Sequence, residues 1–193
     1  MLYIPKPMSD ELKYHYRYPH PSVTTDCIIF GFDTTGLKVL LIERGNDPYK
    51  GHWAFPGGFL NMDESAEEGA LRELQEETGL TDVRVEQLRT YSTPGRDPRE
   101  RVISIAHLSL VPLREVKAAD DAARARWFPI DKVPPLAFDH DLMLADALQR
   151  LSILLQGTPA PQPTPESMAA TPLHALQQLH AKAFADFPKP HQA

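Results

Sequence analysis

Residues 58–80 read GFLNMDESAEEGALRELQEETGL, and the spacing within that stretch decides how the rest of the chain is read. Ser65 followed by Glu68 is a capping-box pattern that starts a helix, and Gly79 stands where a left-handed residue ends one. The expected helix covers residues 66–78. At 100° per residue, Glu73, Glu76 and Glu77 share about one third of its circumference. Carboxylates gathered on one face make an oxygen-rich patch suited to a hard divalent cation, Mg²⁺ with Mn²⁺ as a substitute, and no Cys/His cluster for zinc is visible. Leu71, Leu74 and Thr78 lie to one side as core anchors. Ala66 and Gly69 share the acidic face and are small enough to let a phosphate group approach. A glycine inside a helix costs about 1 kcal/mol relative to alanine, so that need for space is its expected reason. Arg72 lies one turn from both Glu68 and Glu76 and can offset part of the repulsion between the acids. A merely solvated acidic face would leave Gly58 and Glu64 unexplained.

The chain has 193 residues, with 42% hydrophobic and 24% charged, the balance of a globular protein with one domain of ordinary size plus extensions. No apolar run approaches the roughly 18 residues that a membrane span needs. The first residues lack the apolar stretch of a secretory signal. A single cysteine, Cys27, rules out an internal disulfide framework and suits a reducing cytoplasm; set in a strand-like run, it reads as a buried, inert thiol. A formal net charge of -6 is the wrong sign for a broad grip on nucleic acid, and a local basic patch stays open.

Residues 1–21 form an expected extended segment, an edge strand or dimer arm, in which Tyr14, Tyr16 and Tyr18 alternate with His15 and Arg17. From residue 22 to 155 the pattern is that of a domain. Runs 24–32 and 37–43 read as strands joined by a hairpin at Asp33-Thr34-Thr35-Gly36. Further strands are expected at 83–91, 102–111 and 126–128. Residues 139–155 read as an amphipathic helix with Asp139 as N-cap and Leu142, Ala145, Leu148 and Leu151 toward the sheet. Strands with two helices, the second at the end, suggest an α/β architecture, an α/β/α sandwich on a mixed β-sheet. Residues 156–193 comprise a stiff Pro-rich linker and a tail in which Leu173, Leu176, Leu179, Ala183 and Phe187 could lie on one weak helix.

The stretch that opened this section fits the Nudix box, G-x5-E-x7-R-E-U-x-E-E-x-G-U with U aliphatic, at every specified position, so the chain resembles a Nudix hydrolase over residues 22–155. The resemblance implies the Nudix fold and hydrolysis of a diphosphate linked to a nucleoside. It implies metal ligation by Glu73, Glu76, Glu77 and the Gly57 carbonyl, with Arg72 orienting the glutamates. Glu64 is expected to support the loop or an outer metal shell. Gly58 belongs to the substrate side of the box. As general base a box glutamate, Glu76 or Glu73, ranks above Glu115, Asp120 and Asp121 of a distant loop. A homodimer is implied as well, with N-terminal strands shared between subunits.

Outside the box, Pro94, the loop Arg96-Asp97-Pro98-Arg99-Glu100-Arg101 and the run Ala137-Phe138-Asp139-His140 look like an ADP-ribose pyrophosphatase subgroup. Arg96, Arg99 and Arg101 could clamp a diphosphate, or Asp97 could simply pair with Arg99. Tyr91, Phe55 and the N-terminal tyrosines are candidates to stack on adenine, with a core or interface role ranked ahead of that for each. Trp53 is expected to buttress the Pro56-Gly57-Gly58 turn, and His52, His107 and His140 to be structural. The expected substrate is ADP-ribose, giving AMP and ribose 5-phosphate. The alternatives are another nucleotide (oxidised dNTP, NADH, a dinucleoside polyphosphate) or an ADP-ribose-sensing regulatory module. The subgroup's regulators carry a C-terminal winged helix, which is not expected here, since 38 residues follow Leu155 in this sequence.

Overall fold

The computed structural model describes residues 16–116 and 122–156. Its centre is β1 (Ser22–Asp33), an almost wholly buried strand whose side chains alternate between two cores. Ile28, Phe30 and Phe32 point to one face, packed with Met143, Ala147 and Leu151 of α2 (His140–Gln156). Cys27 and Ile29 point to the other, against Ala70 and Leu74 of α1 (Ala66–Thr78). Two helices thus cover opposite faces of one sheet, the expected sandwich.

The sheet is mixed, as expected. β6 (Val102–Pro112) runs parallel to β1 along its whole length, and β5 (Glu86–Tyr91) lies antiparallel outside β6. On the other edge β1 pairs with β2 (Gly36–Arg44) only from Phe30↔Val39 to Asp33↔Gly36, the predicted hairpin. Before that point the two strands part. β4 (Gly57–Phe59) pairs with β1 at Thr24–Asp26, β3 (Trp53–Ala54) pairs with β2 at Ile42 and Glu43, and the Cys27 N–H donates to the Pro56 carbonyl at 2.7 Å. The segment leading into the box therefore fills a fork in the sheet. β7 (Ala122–Pro129) closes the far edge against β2 and leads through a 3₁₀ turn (Ile130–Lys132) toward α2.

Several expectations are corrected. The strand expected at 83–91 begins only at Glu86, because Val83 and Val85 are buried against the α1-side core in an irregular stretch. The short strand at 126–128 is eight residues long. The buried face of α2 is Met143, Ala147 and Leu151, flanked by Leu144 and Leu148, whereas Leu142 is 52% exposed and Ala145 is exposed too. Asp139 spends its carboxylate on Arg96 rather than on a cap. Trp53 packs edge-on against Phe128, ring centroids 4.6 Å apart. Residues 16–21 contain no strand, with Tyr16 and Tyr18 exposed; the rest of the N-terminal segment and the tail residues Leu173 to Phe187 lie outside the described residues.

Candidate active site

α1 is built as its sequence directs. The Ser65 hydroxyl accepts from the Glu68 N–H, the Glu68 carboxylate accepts from the Ser65 N–H, and Gly79 closes the helix at φ 69°. Leu74 and Thr78 are fully buried and fix which face looks outward. On that outward face Arg72 is the hub. Its Nε and Nη2 donate to the two oxygens of Glu64 at 2.9 and 2.6 Å, Nη1 donates to Glu73 at 2.8 Å and to Glu76 at 3.1 Å, and Nη2 reaches the Phe59 carbonyl. Glu68, the other expected partner, is committed to the cap. The Arg72 bonds hold the Glu64 carboxyl down to about 2, helped by the Asn61 N–H that it also accepts. Glu64 therefore braces the loop ahead of the helix.

Gly69 departs from its expected role. A Cβ there would strike Leu60 and lie 3.0 Å from a Glu64 oxygen, so the missing side chain makes room for the protein's own loop rather than for a ligand. Gly58 does face the acids, since a Cβ on it would collide with the Glu73 carboxylate. Gly57 presses on β1 so closely that a Cβ would meet the Thr25 carbonyl, and its N–H donates to Glu77 at 2.9 Å.

Glu77 opens onto a cavity of about 160 Å³ at the fork of the sheet. Arg44, Arg96, Arg99, Asp26, Phe59 and Phe138 also line it, with Gly57 and Gly58 at its floor. Burial, reinforced by the negative charges of Glu73 and Asp26, pushes the Glu77 carboxyl up to about 8 despite the Gly57 N–H. Burial also raises Glu73, with Arg72 opposing. Glu73 and Glu76 turn toward Arg72 and do not line the cavity.

The arginine loop is divided. Arg96 is nearly buried and grips Asp139 with both ends of its guanidinium; Arg99 pairs locally with Asp97 at 2.6 Å, and both line the cavity. Arg101 is exposed, donates to the Val102 carbonyl and does not line it. Tyr91 is corrected as a stacking residue: it is 5% exposed in the α2-side core, its hydroxyl bonded to Asp146. Phe55 lines the cavity, but its ring is stacked on His140. Glu115 is exposed away from the cavity, and Asp120 and Asp121 lie outside the described residues.

Sequence reasoning missed Arg44, Thr24 and Asp26. Arg44 reaches the cavity from the end of β2, its guanidinium 4.7 Å from the centre of the Phe138 ring. Arg99 lies over the same ring at 5.7 Å and over Phe59 at 5.3 Å, so cations and rings alternate across the mouth. Phe138 holds φ 54°, an unusual value for a bulky residue, between the Arg96–Asp139 pair and the Ala137–Trp53 backbone bond. Only the alternation of β1 could have flagged Thr24 and Asp26, since they end a stripe of otherwise apolar residues.

The donors present suit a hard divalent ion. They are oxygens, and the raised Glu77 marks a buried acid in want of a cation. Their present rotamers do not form a coordination sphere: among the described residues no three His, Cys, Asp or Glu side chains converge as metal ligands.

Residues 20–151 match the NUDIX domain model, well over half of the chain, and the chain belongs to the Nudix family. It is a Nudix hydrolase. The family generally uses divalent metal ions. An ADP-ribose pyrophosphatase of Methanocaldococcus jannaschii is 44% identical over 139 residues, covering 72% of this chain and 80% of that protein. The ADPR responsive transcriptional repressor NtrR of Acinetobacter baylyi is 33% identical over 140 residues; the match covers 70% of this chain and 56% of the repressor. Among solved structures, the NUDIX domain of Shewanella oneidensis NrtR complexed with ADP ribose superimposes with a TM-score of 0.66 at 31% identity, over 72% of this chain and 94% of that one. No helix among the described residues is long and apolar enough to cross a membrane.

Proposed function

We propose that this chain hydrolyses ADP-ribose to AMP and ribose 5-phosphate, with Mg²⁺ as its metal and Mn²⁺ as a substitute. The observation that carries the reading is the opening of Glu77, Arg44, Arg96 and Arg99 onto one cavity beside the box helix. An acid that can hold a cation and arginines that can draw an anion are what a diphosphate requires. The 44% identical pyrophosphatase supports the choice of ADP-ribose.

Glu73, Glu76, Glu77 and the Gly57 carbonyl would hold the metal. When bound, it would neutralise phosphate oxygens and lower the pKa of a water. Arg72 orients Glu73 and Glu76 and keeps their mutual repulsion in check until then. Arg44 and Arg99 draw the diphosphate into the cavity, while Arg96 holds Asp139 and so sets the position of Phe138. In the reaction water's oxygen bonds to one phosphorus, the bridging P–O bond breaks, and Glu76 or Glu73 accepts the proton. The protein acts as a homodimer in a reducing cytoplasm, with residues 1–21 as the arm between subunits; sedimentation of the full chain and of one lacking those residues tests the arm.

A product panel over ADP-ribose, NADH, dinucleoside polyphosphates and oxidised dGTP tests the substrate. ADP-ribose should lead. A preference of more than about tenfold for a triphosphate, roughly 1.4 kcal/mol in the barrier, overturns the choice.

A further inference from the structure

On the α2 side of β1, the stripe Phe32, Phe30, Ile28 is core, and the next two residues on the same face are Asp26 and Thr24. Both are buried and both line the cavity. An aliphatic pair would serve the fold there, and burying a carboxylate costs free energy unless its hydrogen bonds are replaced. Asp26 is held by one hydrogen bond and faced by a histidine. The Ser104 hydroxyl donates to Oδ2, and His140 Nε2 faces Oδ1 at 3.6 Å. The Phe55 N–H donates to His140 Nδ1 at 3.1 Å, so in the neutral ring the proton sits on Nε2, toward Asp26. Burial, which lowers the His140 pKa, keeps that ring neutral. Among the described residues, His140 is the only basic side chain in ion-pair range of Asp26.

A carboxylate offers about four acceptor positions. Ser104 fills one, His140 Nε2 at 3.6 Å is beyond hydrogen-bond range, and Asp26 lines the cavity with the acceptor positions left over. The charge of Asp26 repels phosphate, so the anionic part of a ligand belongs with Arg44 and Arg99. What remains for the inner wall is a neutral hydrogen-bond donor, and the vicinal hydroxyls of a sugar match a carboxylate, as in other nucleotide sites where an acid takes ribose hydroxyls. A flat purine finds its place at the mouth, where Phe59 is 42% exposed beside the Arg99 guanidinium.

We infer that Asp26, held by Ser104 and faced by His140, receives the hydroxyls of the terminal ribose, and so selects a sugar-linked diphosphate over a bare one. This rests on the ADP-ribose reading and names the residue that reads the sugar.

The test measures binding of ADP-ribose and of ADP, which lacks the terminal ribose, by titration calorimetry without metal, alongside hydrolysis with Mg²⁺. Wild type should bind ADP-ribose more tightly than ADP. Asp26→Asn should weaken ADP-ribose at least tenfold and leave ADP bound at least as tightly as wild type binds it. Ser104→Ala, which frees the carboxylate without removing it, should give a smaller loss with the same selectivity. Equal losses for both ligands, no loss, or wild-type affinities that do not differ overturn the assignment. If wild type still hydrolyses ADP-ribose in those cases, the substrate reading survives; if wild type neither binds nor hydrolyses it, both fall. Thermal melting of each variant separates loss of contact from loss of fold.

Discussion

Arg96 and Asp139, 43 residues apart in sequence, meet in a two-pronged ion pair of 2.6 and 3.0 Å, with the arginine side chain only 5% exposed. The pair joins the loop ahead of β6 to the start of α2 and stands directly beside Phe138. Removing one member of a buried pair leaves the other charged and unpaired, which costs about 3 kcal/mol or more. Arg96→Gln should therefore lower the unfolding free energy by about that much, shifting the urea midpoint down, and depress turnover through displacement of Phe138. Arg101→Gln should alter stability by under about 0.5 kcal/mol. Urea melts of the two variants side by side make the comparison.

Glu77 gives a pH signature to the metal-free protein. Its carboxyl rises from 4.5 to about 8 on folding, chiefly through burial. Between those values the native state holds a proton that the unfolded chain has released, so stability falls as pH rises from about 5 to 8. Melting temperatures in EDTA should decline across that window, and Glu77→Gln should flatten the decline. Added Mg²⁺ should also flatten it, because a cation beside the carboxylate favours the charged form.

The same substitution bears on catalysis. Glu77→Gln should leave a folded protein whose hydrolysis falls by about 10³-fold, with product release measured at saturating metal. Turnover near the wild-type value would remove Glu77 from the proposed metal site.

Gly69 separates helix propensity from packing. Alanine in a helix is favoured over glycine by about 1 kcal/mol, so propensity alone forecasts a gain. The added methyl would instead strike Leu60 and crowd Glu64, and overpacking costs about 1–3 kcal/mol. Gly69→Ala should lose stability in thermal melts, and Leu60→Ala in the same chain should recover part of that loss.

The helix at the centre of the site was legible because its information is local: a capping box, a terminal glycine and carboxylates at helical spacing are read along one short stretch. β1, β2 and β6 were legible for a similar reason, being long and buried. β3 and β4 span two and three residues, too short for any period, and exist because β1 and β2 part. On α2 the apolar residues are dense enough to draw more than one stripe, and which of them turns inward was settled by the sheet, leaving Leu142 outside and Met143 inside. Tyr91 was uncertain between core and cavity because an aromatic ring suits both. Arg44 carried no local mark at all. Its place depends on Phe138, 94 positions later, whose backbone angle sequence does not announce.

The fork in the sheet carries a consequence for motion. Gly57 and Gly58 sit on a ladder shared with β1, and Pro56 accepts from Cys27 in the middle of that strand. Amides of this glycine turn should exchange with solvent nearly as slowly as those of the central strand, unlike those of an ordinary connecting loop. Adjustment to an incoming nucleotide then falls to the side chains of α1 and to the rim around Phe59 and Arg99, while the floor beneath them stays still.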